Sequence, residues 1–199
     1  MVEKYLIFDV ETTGLPLKRN AKISDVNNWP RIVQLAFGIY DNDGNCLEEH
    51  NYIIKPNNYS IPENSIKIHK ITNEYALENG DDINFVLNLF LEKIQNVNYL
   101  VAHNLKFDKK ILESELYRNN INYNFENLVL KEFCTMESST EFCKLLPFRY
   151  NKYKWPKLEE LHSKLFNNDI VDGFHNALVD IQICKKCLFK LKELNIINI

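Results

Sequence analysis

Four consecutive apolar residues, Tyr5-Leu6-Ile7-Phe8, run into two acids, Asp9 and Glu11, with only Val10 between them. A run this short, closed by the turn-forming Thr12-Thr13-Gly14, reads as a buried strand that ends at a polar edge. Residues at i and i+2 of a strand share a face, so both carboxylates point the same way from the rim of a core. Acids are scarce in strand interiors. The pair fits a plain role, capping the strand and seeding the turn, and equally a chemical one.

Further along, Arg31 to Tyr40 reads as a second strand. Asp41-Asn42-Asp43-Gly44 supplies a tight reversal, and Asn45 to Lys55 continues as a third strand. Asp81 and Asp82 precede apolar residues at helical spacing up to Ile94, where acids suit the helix N-terminus. Tyr99 to Ala102 is a short fourth strand. A helix then starts near Leu105 and stops at Asn119-Asn120, a fifth strand lies around Leu128 to Thr135, and Leu158 to Phe166 is an amphipathic helix. The last helix runs from about Asn176 to near Leu194. Three antiparallel strands followed by helix, strand, helix, strand and terminal helices predict one mixed-sheet α/β domain over residues 1–199. The polar stretch from Pro16 to Pro30 is long for a loop in a compact domain, and such loops are usually functional or mobile.

Net charge is −3, with 24 Lys and Arg against 27 Asp and Glu. That excludes a generally basic nucleic-acid coat, because affinity for phosphates scales with the cations that neutralise them, but not an enzyme with one local patch. No apolar stretch approaches the roughly eighteen residues of a membrane span. The N-terminus lacks a secretory h-region. Five scattered cysteines point to a reduced, intracellular setting, cytoplasmic with the nucleus still open. Cys184 and Cys187 have half a zinc-site spacing, but no second pair accompanies them and they fall mid-helix, which favours core packing.

Two more segments hold acids at element ends. Asp108 follows Ala102-His103-Asn104 and Phe107, where a strand hands over to a helix at the end of the sheet. His175 and Asp180 are five residues apart, and in one continuous helix that is a turn of roughly 500°, which separates the side chains. If the helix starts at Asn176, a good N-cap, His175 lies in a non-helical lead-in after Gly173 and can swing toward Asp180. Singly, Asp108 and Asp180 fit ordinary first-turn acids and His175 an ordinary loop histidine. Clustered, four acids about 4 Å apart would repel by roughly 4 kcal/mol per pair at an effective dielectric of 20, so they need cations. An all-oxygen set selects Mg²⁺ or Mn²⁺ over zinc.

Phe8-Asp9-Val10-Glu11-Thr12-Thr13-Gly14, Ala102-His103-Asn104 with Phe107-Asp108, and His175-Asn176-Ala177 with Asp180 resemble the three exonuclease motifs of the DnaQ-like family, in order, from residue 5 to about 190. That family comprises 3′→5′ exonucleases on a ribonuclease H-like fold. Relatives with a tyrosine base place it four residues before the last Asp, here Asn176. His175 is five before it, so the chain resembles the histidine (DEDDh) branch. The resemblance implies a pair of Mg²⁺ or Mn²⁺ ions, one held by Asp9, Glu11 and Asp180, the other by Asp9 and by Asp108 directly or through water. It makes His175 the general base. It also implies that Thr12, Thr13, Gly14 and Leu15 grip the terminal nucleotide, with His103, Asn104 and Phe107 lining the same pocket. Cys134-Thr135-Met136 departs from the Asp-Thr of many relatives.

Lys144 to Lys157 holds five positive charges, no acid and four aromatics. Arg149, Lys152 and Lys154 could track a strand's phosphates while aromatics stack on its bases. A solvated loop with its rings in the core fits as well. Lys18, Arg19, Lys22 and Arg31 could make a second contact. The expected function is a two-metal 3′→5′ exonuclease releasing nucleoside 5′-monophosphates from the 3′ end of nucleic acid, single-stranded DNA foremost, with a DNA polymerase or other replication or repair partner. An exoribonuclease and a non-catalytic module that binds nucleic acid or a polymerase are the rival readings.

Overall fold

The computed structural model describes residues 3–125, 128–149, 152–167 and 172–199, without the side chains of Phe148 and Arg149. Strands β1 (Tyr5–Thr12), β2 (Ile32–Tyr40) and β3 (Cys46–Ile53) form an antiparallel meander. Helices α1 (Glu63–His69), α2 (Asn73–Asn79) and α3 (Ile83–Ile94) lead to β4 (Tyr99–Ala102), which pairs parallel to β1. Helix α4 (Leu105–Arg118) returns the chain to β5 (Lys131–Cys134), parallel to β4. The sheet order is β3-β2-β1-β4-β5, the mixed sheet that the order of elements predicts. Two short helices, α5 (Thr135–Ser138) and α6 (Thr140–Cys143), precede a hairpin of β6 (Leu145–Arg149) and β7 (Lys152–Lys154). Helices α7 (Leu158–Leu165) and α8 (Ala177–Glu193) complete the chain.

The sheet has a core on each face. Leu6, Phe8 and Val10 of β1 pack with Val86 and Phe90 of α3 and Ile111 of α4. Tyr5 and Ile7 pack on the other side with Ala177, Ile181 and Cys184 of α8. Burial on both faces explains why β2 reads as a continuous apolar run instead of an alternating one. Strand alternation then assigns Asp9 and Glu11 to the face of Tyr5 and Ile7, the face that α8 covers.

Several local features differ from the sequence reading. β1 continues through Thr12, so both acids are paired strand residues, Asp9 opposite Ala36 and Glu11 opposite Gln34, with a register shift after Glu11. Helices α1 and α2 occupy a stretch where no element is expected. Each has seven residues, too few for a clear apolar stripe, and Thr72 caps the second by accepting from the Tyr75 N–H. The loop from Pro16 to Pro30 is tied to the body. Asn28 is buried and bonds the backbone of Lys18 in both directions, and Arg118 donates to the carbonyls of Val26 and Trp29. Among the described residues no helix is long and apolar enough to cross a membrane.

Candidate active site

Asp180 lies in the first turn of α8, directly over the end of β1 that holds Asp9 and Glu11. One oxygen from each of the three carboxylates falls within 4.8 Å of the others. Burial, then the charges of Asp108, Asp180 and Glu11, hold the Asp9 carboxyl well above the usual carboxylate range. Burial and the charge of Asp180 push Glu11 up to about 8. Burial pushes Asp180 up to about 7 against the opposing hydrogen bond from the His175 N–H. One Asp180 oxygen, Oδ1, is buried and has no hydrogen-bond partner. Buried oxygens without donors are costly, and three carboxyls raised together describe a set short of positive charge.

Asp108 comes from the first turn of α4 and is 3% exposed. Burial raises its carboxyl, while hydrogen bonds from its own N–H and that of Val10 pull it back down. The Val10 bond places Asp108 at the end of β1 from the α4 side. The preceding turn needs a left-handed residue, and Asn104 takes it at φ 75°, a conformation asparagine tolerates.

His175 also sits in left-handed backbone, at φ 67°, two residues after Gly173 at φ 93°. Helix α8 starts at Asn176, whose side chain accepts from the Leu178 N–H at 3.1 Å. The non-helical lead-in allows the His175 N–H to reach Asp180 Oδ2 at 3.1 Å, and the exposed imidazole lines the same cleft as the acids. Gln34, missed by the sequence reading, fixes this junction. It is 1% exposed in β2, its Oε1 accepts from the Ala177 N–H at 3.1 Å, and its Nε2 reaches Asn51 at 2.8 Å and Asn176 at 3.4 Å. The signal was a lone amide in an otherwise apolar strand.

The cleft over these groups has a volume of about 680 Å³, and Leu15, Asn104 and Phe107 line it together with Asp9, Glu11 and Asp108. Leu15 is 79% exposed, a large apolar side chain held at the mouth. Thr12, Thr13 and Gly14 are not among the lining residues. Thr12 donates to the Gly14 carbonyl at 2.7 Å, Thr13 Oγ1 accepts from the Arg31 N–H at 2.9 Å, and Gly14 adopts φ 146°, so these three shape the turn that presents Leu15.

His103 lines the cleft with both ring nitrogens engaged. The Pro156 carbonyl can only accept, so Nε2 carries the proton and donates at 3.0 Å, and Nδ1 accepts from the Thr135 hydroxyl at 2.9 Å. Burial lowers the imidazole to about 4, consistent with a neutral latch. Thr135, from the unusual Cys134-Thr135-Met136 segment, is fully buried there.

The basic segment is a hairpin over part of its length and is partly neutralised. Lys154 pairs with Glu160 and Lys157 with Glu159, while Lys152 is exposed. The Arg149 side chain and Tyr150 lie outside the described residues. Arg31 is committed to Glu115 at 2.7 Å. Cys184 and Cys187 are buried in the apolar face of α8. His69 is buried at the end of α1, where its Nδ1 accepts from the Ile71 N–H and burial lowers its imidazole below the ordinary value.

A model of a family described as "RNase_T: Exonuclease" matches residues 6–188. By sequence, the DNA polymerase III PolC-type of Mycoplasmopsis pulmonis is 26% identical over 200 residues, covering 98% of this chain and 12% of the relative. That of Listeria welshimeri is 28% identical over 198 residues with the same coverages. The chain therefore spans about 12% of the length of the curated relatives it matches. Among solved structures, the zinc-bound E. coli ExoI-ssDNA complex superposes with a TM-score of 0.73 at 16% identity, covering 98% of this chain and 41% of that one. Exonuclease I from Methylocaldum szegediense gives 0.72 at 18% identity, covering 96% and 40%. At such identity the likeness speaks for the fold alone, and the fold is ribonuclease H-like.

Proposed function

The chain belongs to the exonuclease (RNase_T) family, and on that premise we propose that it is a divalent-metal-dependent 3′→5′ exonuclease that removes nucleoside 5′-monophosphates from single-stranded DNA. One observation above the others supports this reading: carboxylates from β1 and α8, far apart in sequence, converge to within 4.8 Å with a buried Asp180 oxygen that has no donor. The donor set fits hard divalent cations, since it is all oxygen and its carboxyls are raised as a set that lacks positive charge would be.

In this reading Asp9, Glu11 and Asp180 hold one cation, and Asp9 and Asp108 serve a second. When bound, such cations neutralise the scissile phosphate and favour ionisation of the attacking water. His175, exposed at the cleft, accepts the water's proton, the general-base task that imidazoles most often perform. Leu15 and Phe107 press on the terminal base, and Asn104 lines the pocket beside them. Single-stranded DNA is favoured because similar proteins include an ExoI-ssDNA complex and PolC-type DNA polymerases. The latter also suggest work beside a polymerase, with residues 1–199 acting as one exonuclease unit.

The test is direct. 5′-labelled single-stranded DNA and matching RNA are incubated with Mg²⁺, Mn²⁺ or EDTA, alongside a 3′-phosphate-blocked control. The expected outcome is a DNA ladder shortening from the 3′ end, abolished by EDTA. RNA shortened as fast as DNA would transfer the proposal to RNA, and cleavage of circular substrates would overturn the exonuclease reading.

A further inference from the structure

The chain has two tryptophans, and they are used in opposite ways. Trp29 is 4% exposed and donates its indole N–H to the Lys22 carbonyl, as a core tryptophan does. Trp155 is 53% exposed and lines the acid-bearing cleft with Asp9, Glu11 and His175. A large ring left half in water forfeits burial that the hydrophobic effect would otherwise favour.

Trp155 is nevertheless held on both sides. Before it, Lys154 pairs with Glu160. After it, the Pro156 carbonyl accepts from His103 Nε2 at 3.0 Å, and the Lys157 N–H donates to the other Glu160 oxygen at 2.8 Å. His103 is in turn anchored to Thr135. Ties at Lys154, Pro156 and Lys157 hold the segment that presents the ring, so little ordering remains to be done when a flat ligand arrives.

We propose that Trp155 is a specificity-determining residue: a preorganised stacking platform for a nucleobase at the 3′ end of the bound strand, contributed by the segment between β7 and α7 and held by His103 through Pro156. The proposal rests on the exonuclease reading, since the acids in the same cleft set where the phosphate goes. Stacking needs only a π-face, so the platform accepts all four bases and fails on a nucleotide that has none.

The test compares oligonucleotides ending in ordinary nucleotides with ones ending in two tetrahydrofuran abasic residues, in Mg²⁺. The wild type is expected to favour the base-bearing end. Trp155→Ala is expected to raise KM for that end by roughly five- to a hundredfold, to change kcat little, and to leave the abasic end unaffected. Trp155→Phe should retain most of the preference. Independently, dAMP with Mg²⁺ should quench wild-type tryptophan emission, and Trp155→Phe should show no quench because Trp29 is buried. A Trp155→Ala variant with unchanged KM, or one equally impaired on both ends, overturns the platform while the exonuclease reading stands. A wild type that degrades neither oligonucleotide overturns that reading instead. Should Trp155→Ala fail to fold, the quench and the Trp155→Phe comparison decide: absence of a quench in the wild type counts against the platform.

Discussion

The backbone N–H of His175 donates to Oδ2 of Asp180 at 3.1 Å, across a span that a continuous helix would turn through roughly 500°. The bond forms because His175 lies outside α8 in left-handed backbone, with Asn176 as the cap. His175 and the Asp180 carboxylate thus belong to one junction.

From this junction follows the first prediction. His175→Ala should lower kcat by about 10²–10⁴-fold, the usual contribution of a positioned general base. Asp9→Asn should lower it at least as far. Far-UV circular dichroism of both should match the wild type, and full activity of either with metal present would remove these roles.

Gln34 supports the junction from beneath. Its loss in Gln34→Leu strands the Ala177 N–H, costing about 1–3 kcal/mol by urea unfolding, and loosens the start of α8. We expect kcat to fall about 10–100-fold, as for groups that orient metal ligands, with KM little changed. A variant destabilised but fully active would show that the amide serves packing alone.

The sequence made much of this legible, for physical reasons. Strand alternation put Asp9 and Glu11 on one face, and Asn176 as a cap freed His175 from the helix; both are local rules. The partner of His103 and the place of Trp155 were not legible, because His103 bonds Pro156 across 53 positions of chain. Composition around Lys144 to Lys157 suggested a free cationic patch, whereas Lys154 and Lys157 find partners in α7. Helices α1 and α2 are too short for periodicity to reveal.

Glu115 ties α4 to the start of β2. It is 1% exposed, and its Oε1 lies 2.7 Å from both Arg31 Nε and Arg118 Nη1, while Arg31 backbone groups pair with Thr13. Glu115→Ala leaves two guanidiniums half-buried without their shared acid. The expected loss is about 3–5 kcal/mol, seen as a Tm lowered by roughly 10 °C at this chain length. A change below about 1 kcal/mol would place this pair among ordinary surface bridges.

The acid cluster makes stability depend on pH and metal together. Glu11 and Asp180 titrate near 8 and 7 in the folded chain, against about 4.3 and 3.9 when unfolded. Between those values the folded state binds more protons, so metal-free stability falls as pH rises. Burial lowers His103 to about 4 and lowers His69 as well, and both oppose the acids until histidines are neutral in the unfolded chain, roughly one unit above their ordinary value of about 6.5, so the window from about pH 7.5 to about pH 8.5 isolates the acids. Over it, Tm in EDTA should fall. A divalent cation replaces the protons that the acids release, so Mg²⁺ or Mn²⁺ should raise Tm most at the upper end of the window. Asp9→Asn relieves one like charge, so it should raise Tm in EDTA at high pH while removing most of the response to metal. A metal-free Tm that climbs with pH across this window, or a metal response of equal size throughout, would mean that these carboxylates do not share a cation.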